Sequence, residues 1–67
     1  MANNLALRML SYRARNRLSQ GKLAERMDED LMTIYRIENG KHKPHKINEI
    51  RLTEKMDKLE EEEREKE

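Results

Sequence analysis

The chain has 67 residues, of which 43% are charged and only two, Tyr12 and Tyr35, are aromatic. A domain this small buries about 60% of its unfolded surface, enough for a small helical core and too little for a substrate-sized pocket. Without cysteine there is neither a disulfide framework nor a Cys-based zinc site. The net charge of +1 is unevenly spread: residues 1–46 carry ten Lys/Arg against five acids, and residues 47–67 five against nine. An anionic partner is therefore expected for the basic body only.

Such a composition lies near the disorder boundary, but the apolar residues fall in helical register and strand-like alternation is missing. The first helix is expected over roughly Asn4–Arg15, capped by Asn3 or Asn4, with Leu5, Met9 and Tyr12 inward and Arg8 and Arg15 outward. Ser19 suits the N-cap of a short second helix, Gln20–Met27, whose inner residues are Leu23, Ala24 and Met27. In the connecting "DED", Asp28 tolerates a left-handed backbone better than most residues, and Asp30 is placed to cap a third helix, Leu31–Glu38. Ile34 and Ile37 face its interior, and Asn39-Gly40 stops it, because glycine accepts left-handed geometry freely.

Pro44 keeps the following segment from joining the third helix, and a fourth is predicted from near Ile47. Its apolar residues make two stripes. Ile47 and Ile50 share one face, whereas Leu52, Met56 and Leu59 lie roughly 120–180° away at about 100° per residue. Either the helix bends near Thr53 or it has two covered faces, one on the core and one on a second molecule; Leu52, Met56 and Leu59 are assigned as the dimer or partner face. Residues 60–67, rich in glutamate, are expected to be a frayed acidic tail despite possible Glu60–Arg64 and Glu62–Lys66 pairs. The domain proper is thus residues 1–59.

Residues 20–39, "QGKLAERMDEDLMTIYRIEN", carry the strongest functional signal. A short helix with the small Ala24 at its middle, a three-residue turn, and a second helix anchored by Ile34 and Ile37 make a helix-turn-helix. Leu31, Met32, Tyr35 and Arg36 are left outward, in a row that fits a DNA major groove.

"LSQGKLAERM" followed by "TIYRIENGKHKP" resembles the phage-repressor/Cro, or XRE, family of helix-turn-helix proteins, over about Leu5 to Pro44. The resemblance implies an all-α, lambda-repressor-like bundle of four to five helices. It also implies an ion pair between Arg13, late in the first helix, and Glu38, which closes the third. By the same resemblance, Gln20, Asp30, Leu31, Met32 and Arg36 would read bases, with Arg36 on guanine and Leu31 or Met32 on thymine methyls. Asn39, Lys41 and Lys43 would hold phosphates, which position without specifying sequence.

The chain departs from the family pattern at several places. Gly21 replaces a helix former, Glu29 stands where a buried aliphatic is usual, and Asp28 where glycine is usual. Lys46 and Glu49 replace apolar residues after Pro44. His42 and His45 lack the further ligands a metal site needs. No nucleophile–base set or phosphate-cradling glycine loop appears, so neither an enzyme nor a cofactor is expected. Met1–Leu10 lacks a signal-peptide core and no stretch approaches a membrane span, so the expected compartment is the cytoplasm. The reading is a sequence-specific regulator of double-stranded DNA, a repressor from a phage, plasmid or mobile element, acting as a homodimer. The rival is an antitoxin-like interaction module using the Leu52/Met56/Leu59 face and acidic tail to bind a protein partner. An RNA binder is disfavoured by the scarcity of stacking aromatics.

Overall fold

Four helices account for nearly all of residues 5–40 and 45–65, which the computed structural model describes. They are α1 (Leu5–Asn16), α2 (Gln20–Met27), α3 (Leu31–Glu38) and α4 (Lys46–Glu65), and the described residues contain no strand. The expectations placed on Asn3, Asn4, Lys41, His42, Lys43 and Pro44 lie outside the described residues.

Each early helix ends for a local reason. Arg17 takes a left-handed φ of 55°, letting the Leu18 N–H reach back to the Arg13 carbonyl at 2.9 Å. Ser19 caps α2 by accepting from the Lys22 N–H at 3.1 Å. Asp28 is left-handed (φ 55, ψ 48), and the Glu29 N–H then meets the Ala24 carbonyl at 2.8 Å. That bond pattern satisfies carbonyls that the last turn would otherwise leave open. Asp30 occupies the N-cap of α3 in an extended conformation, but its side chain makes no capping bond. After α3, Asn39 stays right-handed and donates from Nδ2 to the Tyr35 carbonyl at 2.7 Å, while Gly40 takes φ +68.

The core is one cluster: Leu5, Met9 and Tyr12 from α1; Leu23, Ala24 and Met27 from α2; Ile34 and Ile37 from α3; and Leu52, Met56 and Leu59 from α4. Helix α3 packs on α1 and α2, and α4 packs on the same two helices. Close packing explains why Ala24, 4% exposed, is small: extra methylenes there would drive helices apart at about 1–3 kcal/mol.

Two expectations for the C-terminal half are corrected. Leu52 and Met56 are fully buried and Leu59 is 9% exposed, so this stripe is the domain's own core and cannot dock a second molecule. The face left open is that of Ile47 and Ile50, 80% and 52% exposed. The helix also does not end at Leu59. It continues through Glu65, because its acids find cross-helix partners. Arg8 donates to Asp57 and Glu60, both at 2.6 Å, and Arg15 to Glu63 at 3.0 Å, where Asn16 also donates at 2.9 Å. The hydrogen bonds these guanidinium groups donate, to Glu60 and Asp57 from Arg8 and to Glu63 from Arg15, raise both guanidinium pKa values. Arg8 and Arg15 thus point toward α4, and the mutual repulsion of the glutamates is offset by cations from α1.

Candidate nucleic-acid interface

The geometry of the α2–turn–α3 unit follows from three anchors. Ala24 lets the helices cross closely, Ile34 at 0% exposure and Ile37 at 6% hold α3 down, and Asp28 supplies the left-handed turn. A fourth anchor is electrostatic. Arg13 donates to Glu38 twice, from Nε to Oε2 at 2.9 Å and from Nη2 to Oε1 at 2.7 Å. Its Nη1 donates to the Leu18 carbonyl at 3.2 Å. Gln20 Nε2 donates to Glu38 Oε1 at 2.8 Å. The Glu38 side chain is 4% exposed and that of Arg13 21%. One carboxylate therefore fastens the end of α3 to α1 and to the first residue of α2. The bond to Glu38 raises the Arg13 pKa, despite an opposing contribution from burial.

With its inner side fixed, α3 turns Leu31, Met32, Tyr35 and Arg36 outward, the first three 43–48% exposed. Asp30 is exposed at the N-terminal end of this row and Asn39 at its C-terminal end. Gln20 is half-buried beside the row, and its amide nitrogen faces Glu38 because a carboxylate accepts only. Its carbonyl oxygen and second N–H remain for an outside partner. Lys41 and Lys43 lie outside the described residues.

The acidic turn is less negative than its sequence suggests. Glu29 has a side chain only 8% exposed and is bonded by both Arg51 and Lys55 of α4. Burial pushes its carboxyl pKa up, but the bonds from Lys55 and Arg51 outweigh that and leave it below the ordinary value. This ion triad replaces the aliphatic contact expected at the position and ties the turn to α4. Sequence reasoning missed it. Arg51 and Lys55, one turn apart on α4, were its only signal.

Sequence reasoning also missed a donor-rich cleft beside α3. Thr33 and Arg36 line it together with His45, which immediately precedes α4, and with Asn48 and Arg51 in its first turns. Among the described residues, no cluster of three or more His, Asp or Glu is arranged to hold a metal ion, and no helix is long and apolar enough to cross a membrane.

A buried clamp beneath, an outward row above and a tight three-residue turn between two eight-residue helices are what a DNA-reading pair requires. Comparison with known protein families matches residues 9–61 to the helix-turn-helix family. The chain belongs to the XRE-type helix-turn-helix proteins. No curated protein and no solved structure matches it. The match extends past Pro44, so α4 belongs to the helix-turn-helix domain along with α1–α3. XRE-type domains are DNA-binding regulatory units and not an enzyme family, and the protein is a DNA-binding regulator of this kind.

Proposed function

We propose that the protein is a transcriptional repressor of the phage, plasmid or mobile-element type, acting in the cytoplasm as a homodimer on a two-fold operator. Helix α3 enters the major groove, and its N-terminal residues approach base edges first. Arg36 donates to guanine O6 and N7, Asp30 accepts from cytosine N4, and Leu31 and Met32 meet thymine methyls. Gln20, Asn39, Lys41 and Lys43 complete the contacts, the last three at phosphates. The cleft donors His45 and Asn48 flank Arg36 and suit a neighbouring phosphate oxygen. Repression needs only occupancy of a promoter, so a DNA-binding domain suffices.

The observation that carries this reading is the division of α3 between a sealed side, Ile34 and Ile37, and an open side, Leu31, Met32, Tyr35 and Arg36. The test is selection of bound duplexes from a random pool, followed by a promoter reporter carrying the selected site. A palindromic consensus with half-sites about one helical turn apart, and lower transcription with the protein present, is expected. Recovery of no consensus would overturn the reading.

A further inference from the structure

The start of α4 carries an apolar surface that the domain itself does not use. Ile47 is 80% exposed and Ile50 52%. At about 100° per residue, Ile50 lies on the side of the helix opposite the core stripe Leu52/Met56/Leu59. Lys46, Ile47 and Glu54 all fall within about 60° of Ile50. Lys46 and Glu54 are exposed, and neither has an ion partner among the described residues. The other acids and bases of α4 near the core, Arg51, Lys55, Asp57 and Glu60, are already occupied inside the domain.

These four residues form a self-complementary pattern. If two α4 helices cross antiparallel with Ile50 on the two-fold axis, a residue n faces residue 100 minus n of the other helix, by symmetry about that position. Ile50 then meets itself, Ile47 meets the half-buried Thr53, and Lys46 meets Glu54 twice, once on each side. Centring on Ile50 keeps an isoleucine contact at the axis with opposite charges on both sides of it. Centring between Ile47 and Ile50 instead sets Lys46 against Arg51.

We propose that the Lys46/Ile47/Ile50/Glu54 face of α4 is the surface through which two copies of this chain pair, antiparallel about Ile50. This deepens the reading of a homodimer on a two-fold operator and rests on it only for the dimer's role, not for its formation. Four side chains per copy cover much less than the area of a standard stable interface. The pair is consequently weak in free solution and is completed when both copies sit on one DNA molecule, where the effective concentration is high.

The absence of cysteine makes the face directly testable. In otherwise wild-type chains without DNA, Ile50→Cys should form a disulfide-linked dimer under mild oxidation at least tenfold faster than Leu10→Cys, an exposed α1 position of similar accessibility. Equal rates overturn the proposal. Charge exchange gives a second arm. On the Ile50→Cys background, Lys46→Glu or Glu54→Lys alone should slow cross-linking several-fold, by setting like charges together. An equimolar mixture of the two should restore it, because each mixed pair regains both opposite-charge contacts. A mixture no faster than either variant alone would also overturn it. Selection of a palindromic operator with no Ile50→Cys cross-linking would leave the DNA reading intact and refute this face.

Discussion

Replacing Arg13 by alanine removes three hydrogen bonds together: two to Glu38 and one to the Leu18 carbonyl. The stranded carboxylate is 4% exposed and retains only Gln20 as a donor. Breaking a buried pair by removing one partner costs about 3–5 kcal/mol. The 21% exposure of Arg13 admits some water to the gap and places the expected loss near the lower end, about 3 kcal/mol. A domain of this length has a total stability of about 3–10 kcal/mol, so the variant should lie close to its unfolding threshold. Urea denaturation followed by circular dichroism measures the change, which should appear as a lower midpoint with an unaltered slope. The double variant Arg13→Met with Glu38→Leu is the companion experiment. It removes both charges and should recover most of the loss, since apolar replacement of a buried pair is often neutral or better. A loss below about 1 kcal/mol for Arg13→Ala is the value of a solvated surface pair and would refute the argument that this carboxylate is sealed.

Arg36→Ala should relax base preference within a selected half-site, at a cost of about 1–3 kcal/mol for its preferred base pair. Lys43→Ala should instead weaken all duplexes alike and lower the salt slope by about one unit, as measured by fluorescence anisotropy at several ionic strengths. Glu29 has a lowered folded-state pKa. Its stabilisation is therefore complete above the unfolded value of about 4.3 and disappears as pH falls through the lower folded value. Glu29→Gln should flatten the acid limb of a stability–pH curve below about pH 4.5, and an unchanged limb would contradict the triad. Asp28→Gly should raise stability by about 0.5–1 kcal/mol, because it relieves a left-handed non-glycine residue while adding freedom to the unfolded chain. Gly21→Ala should give a similar gain of about 0.5–1 kcal/mol, since an added Cβ meets nothing nearer than Ser19 Oγ at 3.8 Å. Thermal melts of both variants decide these two.

The first three helices were readable from local chemistry. Periodicity named their inner faces, and Ser19, Asp28 and Gly40 marked where the chain must turn. The Arg13–Glu38 contact spans 25 residues and leaves no local trace, so only the family resemblance pointed to it. In α4 the pattern separated the two apolar stripes, but it could not say which of them meets the core. That depends on the placement of α1 and α2. The expectation of a frayed end failed for a related reason. It considered repulsion along one helix, whereas Glu60 and Glu63 are held by Arg8 and Arg15, 52 and 48 residues away. Arg8 and Arg15 stand seven apart, on one face of α1, which was the available clue. Glu29 stood only as a departure from a buried aliphatic, because nothing local showed that α4 would deliver Arg51 and Lys55 to it.

The pinning of the acidic end of α4 against α1 has a consequence for how the protein finds its target. Negative charge gathers on one flank, while the cations of that flank, Arg8 and Arg15, are spent on it. Arg36, exposed on the outer side of α3, has no ion partner among the described residues. The molecule is thus an electric dipole despite a net charge of only +1, and a polyanion exerts a torque on it before touching it. Approaching molecules are rotated toward a productive orientation, a long-range effect that fades as added salt shortens the Debye length.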